Sequence, residues 1–217
     1  MDPVTLLADF VIHLDSHLGL LIQQYGIWVY LILFLVVFLE TGVVVTPFLP
    51  GDSLLFVAGT FAGLGSLDPL LLFGTLSVAA VLGDTVNYWI GYHMGPRVFR
   101  EKRRLLKKEY LDRSEKFYER HGGKTIFLAR FIPIVRTFAP FVAGIGKMRY
   151  WRFLAYNIAG GVTWVGAFIM GGYLFGNIPA VKDNLFLVIV GIIIISFVPA
   201  VIGAVQHKRK KSHQAKT

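Results

Sequence analysis

Pro47-Phe-Leu-Pro-Gly-Asp-Ser-Leu-Leu-Phe-Val-Ala-Gly59 is the stretch that decides how this chain folds. It is apolar enough for the interior of a bilayer, yet it carries two prolines and a carboxylate. Proline lacks a backbone donor and clashes within a helix, which argues against a straight span. Non-helical backbone at membrane depth survives only where protein buries it or water reaches it. The stretch, continuing to Gly65, therefore reads as a re-entrant hairpin. A second apolar segment, Lys124 to Gly146, carries Pro133 and Pro140 and reads the same way. The two segments also match. Phe56-Val-Ala-Gly59 recurs as Phe141-Val-Ala-Gly144, and each is followed by a long span closing on Gly-Tyr-x-x-Gly, Gly91 to Gly95 and Gly172 to Gly176. Broken segments in corresponding positions of two halves point to the binding site of a transporter.

The composition supports a lipid environment. Hydrophobic residues make up 55% of the 217, charged residues 16%, and mean hydropathy is +0.61. A soluble domain carries about 25% charged residues. Four segments are long enough to cross a bilayer core, which needs about 20 apolar residues as helix. They are 27–45, 70–94, 150–175 and 185–205. The expected fold is an all-α integral membrane domain of four spans plus two re-entrant hairpins in an inverted repeat. Its parts are an amphipathic N-terminal helix (1–25), a first repeat (27–95), an amphipathic helix (97–120), a second repeat (124–176), the last span (185–205) and a basic tail (206–217).

The net charge of +9 does not indicate nucleic acid, because of where it sits. Of 22 Lys and Arg, ten fall between Arg97 and Arg120, five lie between Lys208 and Lys216, and none precedes Arg97. Basic blocks flanking apolar spans mark cytoplasmic loops. Lys147, Arg149 and Arg152 add the exit of the second hairpin to that side. Both termini are then cytoplasmic, and the hairpins enter from opposite faces. The 97–120 helix reads as a solvated cytoplasmic surface, with docking of anionic head groups as the sharper alternative. The start is not a signal peptide, since Asp2, Asp9 and Asp15 stand where a basic region would be. Apolar residues from Leu7 to Ile22 form a helical stripe instead, expected to lie at the interface.

Cysteine is absent, so disulfides and thiol chemistry are excluded. No His/Glu metal spacing and no nucleophile–base pair stands out. His121-Gly-Gly-Lys-Thr125 lacks the first glycine of a phosphate loop, because Tyr118 occupies it. The expectation is no enzyme, no cofactor and no metal.

Four charges carry the functional reading. A charge at the bilayer centre costs about 2.5–3.5 kcal/mol on insertion scales, so it faces a bundle interior or an aqueous cavity. Glu40 follows thirteen unbroken apolar residues. It is either a carboxylate near the outer interface or a protonatable group facing a cavity. Asp52, in Pro50-Gly-Asp-Ser53, suits a helix N-cap, and a half-helix N-terminus inside the membrane is also an ion or head-group site. Arg130 and Arg136 flank Pro133. Their planar forks match carboxylate or phosphate, so they either pair with Glu40 and Asp52 or bind an anion, most naturally a lipid phosphate. Pro47, Pro50, Gly51, Pro133 and Thr137 support these positions. Asp84 and Asn87, at i and i+3, share a helix face and suit interhelical hydrogen bonds.

Phe38-Leu-Glu-Thr-Gly42, the Pro47–Gly59 stretch, Gly83-Asp-Thr-Val-Asn-Tyr88 and Ala129-Arg-Phe-Ile-Pro-Ile-Val-Arg-Thr-Phe-Ala-Pro-Phe-Val-Ala-Gly144 together resemble the DedA family of bacterial inner-membrane proteins, with a SNARE-associated/VTT-type domain. The likeness is close to the enterobacterial members along nearly the whole chain. The resemblance implies that Glu40 and Asp52 are an essential acidic pair and that Arg130 and Arg136 are an essential basic pair. It implies paired re-entrant hairpins and a link to the lipid scramblases of autophagy. Some relatives are implicated in returning undecaprenyl phosphate across the inner membrane. Others are implicated in proton-dependent transport and in tolerance of alkaline pH, dyes and cationic peptides. The expected function is a flippase or scramblase of an anionic lipid, undecaprenyl phosphate before phospholipid, linked to the proton motive force. The alternatives are a proton-coupled antiporter of small cations or drugs, and a non-transporting organiser of envelope or division machinery. The expected partners are a lipid phosphate head group and protons, and a homo-oligomer is compatible with the sequence.

Overall fold

The computed structural model describes residues 14–43, 51–100 and 123–182, with Asn184, Leu187, Val188, Val190 and Gly191. Every regular element among the described residues is a helix: α1 (Leu14–Tyr25), α2 (Trp28–Gly42), α3 (Gly51–Gly63), α4 (Pro69–Arg100), α5 (Lys124–Ala129), α6 (Pro133–Ile145), α7 (Tyr150–Phe175) and α8 (Pro179–Lys182). Two of them, over Pro69–Met94 and Tyr150–Phe175, are long and apolar enough to cross a membrane. Pro47, Pro50, the bulk of the 97–120 segment, the basic tail and most of the last span lie outside the described residues.

Local chemistry sets the boundaries. Gly26, at φ 51°, makes the left-handed turn between α1 and α2. Asp68 caps α4, its Oδ1 accepting the Leu71 N–H at 2.7 Å, with Pro69 at the first helical position. Between α5 and α6 the backbone breaks at Arg130-Phe131-Ile132. Ile132 is extended (φ −121°, ψ 107°) because the ring of Pro133 disfavours the α region for its predecessor. The expected second hairpin segment is thus two helices broken just before Pro133, whereas α6 runs through Pro140.

Two boundaries differ from expectation. The first span is shorter than 27–45, because α2 stops at Gly42 after 15 residues, about 22 Å of helix. That stop leaves Glu40 in its final turn. The second apolar span, Pro69–Met94, agrees with the expected 70–94, but its helix does not stop there. α4 continues unbroken through Gly95-Pro96 to Arg100, 32 residues in all. Proline removes one hydrogen bond there, and basic residues near a helix C-terminus complement its dipole.

Apolar packing forms two clusters. One gathers Leu18, Val29, Leu33, Val37, Leu55, Leu72, Leu76, Trp164 and Ile169, from α1, α2, α3, the first half of α4 and the second half of α7. The other gathers Tyr88, Ile126, Ala129, Ala139, Ala143 and Phe153, from the second half of α4, α5, α6 and the start of α7. The chief pairings cross over. α3 packs on α7, while α6 packs on α4.

The repeated motifs make these crossings. A methyl group on Gly172 would strike the Phe56 carbonyl, and one on Gly59 would strike that of Ile169. In the other half, a methyl on Gly91 would strike the Phe141 carbonyl, and one on Gly144 that of Tyr88. Matched positions therefore meet reciprocally. Lipid tails are as apolar as leucine, so helix association in a bilayer relies on close backbone approach at small residues.

This yields a stability prediction. Gly172→Ala should destabilise the protein by about 1–3 kcal/mol, as overpacking does in a filled interior. Gly74→Ala, on the exposed face of α4 with nothing within 4 Å of its added methyl, should leave the melting temperature unchanged or raised. Thermal unfolding in one detergent tests both. Equal melting temperatures for the two variants would refute the close-approach account.

Candidate functional site: a buried ion-pair network

The charges gather where the two apolar clusters meet. Asp84 lies on α4 between Leu76 of one cluster and Tyr88 of the other, and Asn157 lies on α7 between Phe153 and Trp164. Asp84 is about 22 Å along α4 from Pro69, and Trp164 is about 21 Å along α7 from Tyr150, at 1.5 Å per residue. Both positions lie near the middle of their 26-residue apolar spans, each about 39 Å long.

Arg136, in the first turn of α6, is the hub of one pair of bridges. Its Nη1 donates to Asp52 Oδ1 at 2.6 Å, and its Nη2 donates to Glu40 Oε1. Glu40 is 1% exposed. Its Oε1 also accepts the Gly51 N–H at 3.2 Å. A side chain at residue 51 would overlap that carboxylate, so glycine lets it lie against the opening turn of α3. The positive end of a helix favours an anion there. Asp52 sits inside the first turn of α3 rather than at the cap position. Its Oδ1 accepts a second hydrogen bond, from Trp164 Nε1 at 2.9 Å.

Arg130, in the break between α5 and α6, is 4% exposed and pairs elsewhere. Its Nη1 donates to Asp84 Oδ2 and to Asn157 Oδ1, the latter at 2.9 Å. Asn157 is held in turn by donating Nδ2 to the Val81 carbonyl at 3.0 Å. The Nε and Nη2 of Arg130 have no hydrogen-bond partner among the described residues. These two donors form the side-on edge of the guanidinium, the geometry that grips two oxygens of one oxyanion. Arg130 borders a cavity of about 10 Å³ that is also lined by Thr41, Asp84, Ile126, Arg136, Pro140 and Trp164. That volume suits one water.

Asn87 ties the frame together. From α4 it donates Nδ2 to the Thr137 carbonyl at 2.7 Å and to the Thr41 carbonyl at 3.3 Å, joining the end of α2 to α6. Thr137 enters this contact through its backbone. Pro133 acts through position, opening α6 three residues before Arg136.

The geometry thus brings Glu40, Asp52 and Arg136 into direct contact and gives Arg130 a different acid, Asp84. Three carboxylates against two guanidiniums leave one excess negative charge when all are ionised. Asp84, expected in interhelical hydrogen bonds, is a member of an ion pair. Asn157 and Trp164 were not singled out by the sequence. Asn157 had a signal, an amide in the apolar 150–175 span. Trp164 had none, since a tryptophan in a span reads equally as core or lipid contact. Among the described residues, no group of three His, Cys, Asp or Glu side chains could hold a metal ion.

The VTT domain family model matches residues 49–174, a range that contains Asp52, Asp84, Asn87, Arg130, Arg136, Asn157 and Trp164. Over 219 aligned residues, all of both chains, the sequence is 53% identical to protein DedA of Escherichia coli strain K12. It is 43% identical to the uncharacterized membrane protein ML0287 of Mycobacterium leprae over 183 residues, covering 84% of this chain and 82% of the relative. It is 35% identical to inner membrane protein YghB of Escherichia coli strain K12 over 157 residues, 72% of each chain. No solved structure matches. A domain match over more than half the chain and full-length identity to an enterobacterial relative identify the chain as a membrane protein of the DedA family.

Proposed function

We propose that this chain is a transporter of the bacterial inner membrane that carries the head group of an anionic lipid past the centre of the bilayer. The location is supported by the likeness to YghB, an inner membrane protein of Escherichia coli. The observation that carries the reading is the side-on edge of Arg130, two unpaired donors on a buried residue that lines a small cavity. Leaving a buried donor unsatisfied costs about 1–3 kcal/mol. An ion pair serving stability alone gains nothing from that arrangement, whereas an anion site needs it.

In this reading the phosphate oxygens take the open edge of Arg130 while the lipid tails stay in hydrocarbon. Arg136 is restrained by Glu40 and Asp52, and protonating either acid loosens it toward the ligand. That step links transport to the proton motive force. The cavity is far smaller than a phosphate group, so entry requires the α5–α6 break to separate from α4 and α7. Reciprocal contacts of the twin motifs support two hairpins related by an inverted repeat, and the basic blocks support cytoplasmic termini. Undecaprenyl phosphate is the favoured lipid on family resemblance, with phospholipid next. The excess carboxylate favours one second reading, proton-coupled exchange of a small cation.

Reconstitution in liposomes with a leaflet-specific assay of lipid phosphate tests the proposal. Arg130→Ala should slow transfer at least about tenfold, the effect of losing roughly 1.4 kcal/mol or more. Equal rates for wild type and variant would sink it. Substrate-dependent proton flux without lipid movement would instead favour the cation exchanger.

A charge-balanced pair separates binding from structure. Asp84→Asn strands the Arg130 charge and should destabilise by about 3–5 kcal/mol, as losing one partner of a buried ion pair does. The double variant Asp84→Asn/Arg130→Gln should regain most of that stability yet remain inactive in transfer. Recovery of transfer by the double variant would reduce Arg130 to a structural role.

A further inference from the structure

We infer that Trp164 is a positioning residue that makes the two arginines act on one ligand; the inference rests on the anionic head-group reading above. Its indole ring is approached by both guanidiniums, with the Arg136 Cζ 5.0 Å and the Arg130 Cζ 5.5 Å from the ring centroid. Its Nε1–H donates to the Asp52 oxygen that also receives Arg136. Trp164 is 1% exposed and lines the same cavity as Arg130.

The rest of one α7 face serves the same arrangement. Asn157, Gly160, Gly161 and Trp164 follow i, i+3, i+4, i+7 and lie on one stripe. Asn157 orients Nη1 of Arg130. A methyl on Gly161 would come within 3.5 Å of the Arg130 Cζ and Nη2 and within 3.1 Å of Val81. The small residues leave room for the guanidinium, and the ring fixes where it stops.

Physically, two guanidiniums near one ligand repel each other in a low-dielectric interior. The negative face of an indole ring attracts both, more strongly when water is excluded. The ring therefore holds two like charges at one cavity after their carboxylates let go. Asp52 is held by the Trp164 N–H in the meantime, ready to recapture Arg136.

The test isolates the ring's electrostatics from its shape. Trp28, Trp89 and Trp151 are exposed and are replaced by Phe, leaving Trp164 alone. Tryptophans carrying progressively more ring fluorines are then incorporated, which drains the π face while keeping the indole and its N–H. The full chain in phosphatidylcholine nanodiscs is titrated calorimetrically with dodecyl phosphate, with dodecanol as uncharged control and inorganic phosphate as chainless control. Affinity for dodecyl phosphate should fall stepwise with fluorine count, to about tenfold for the most fluorinated ring, while dodecanol binding stays constant. Trp164→Phe, which keeps a ring and loses the N–H, should bind more tightly than Trp164→Leu. Arg130-dependent binding indifferent to fluorination would overturn the role of Trp164 and leave the head-group reading intact. Equal binding of dodecyl phosphate by wild type and Arg130→Ala would overturn both. Inorganic phosphate binding as tightly as dodecyl phosphate would overturn the lipid reading while upholding Trp164.

Discussion

Arg136 donates to carboxylates on two different helices, and most of the architecture is arranged so that it can. A guanidinium at membrane depth needs counter-charge within hydrogen-bonding reach. Glu40 comes from the last turn of α2, Asp52 from the first turn of α3, and Arg136 from the first turn of α6. All three therefore sit at helix ends. A helix end at mid-depth is unfavourable unless its backbone groups find partners. Glu40 supplies one by accepting the Gly51 N–H, so the carboxylate that balances the arginine also satisfies the opening of α3. The same chemistry solves the charge problem and the backbone problem.

The long helices carry the load that the broken ones cannot. α4 and α7 present stripes of small and polar residues against the hairpins, and glycine crossings bring backbones together where no hydrophobic drive would. Asn87 clamps the end of α2 to α6 through two carbonyls. Asn157 fixes Arg130 from α7. These amides act on backbone and guanidinium alike and tie α2, α4, α6 and α7 together around the charges.

Much of this was legible in the sequence for identifiable reasons. Pro133 forces its predecessor out of the α region, so the break in the second hairpin follows from local sterics. Glu40, Asp52, Arg130 and Arg136 stand out because charges in apolar stretches are costly. Pairing was legible in part: Arg136 meets Glu40 and Asp52, as one reading of the sequence had it, but Arg130 meets Asp84 instead. Which acid meets which arginine depends on how α4 and α7 rotate against the hairpins, a tertiary property that composition does not encode. Asp84 thus looked like a hydrogen-bonding residue until its helix face was fixed against Arg130. Trp164 was invisible for the same reason. The end of α2 was misread because apolar residues continue to Val45 although the helix stops at Gly42. Likewise α4 ignores Gly95-Pro96, since a proline near a helix end forfeits one hydrogen bond and little more.

The two arginines are unequal, and the inequality bears on what the site is for. Arg136 has both terminal nitrogens committed to carboxylates, while Arg130 commits only Nη1 and has no partner among the described residues for Nε and Nη2. If the network existed only to neutralise charge, the third carboxylate would be best placed across that open edge. It instead shares Nη1 with an amide, and the strongest bidentate surface in the network stays unfilled. A buried group whose satisfaction is withheld is stabilised by whatever supplies the missing acceptors, and two parallel oxygens on one centre supply both. In the proposed anionic head-group reading, the excess carboxylate charge acts as restraint: an incoming anion must displace an acid or arrive with a proton. In that reading charge balance confines the arginines between ligands, and the unpaired edge of Arg130 is where the anion binds.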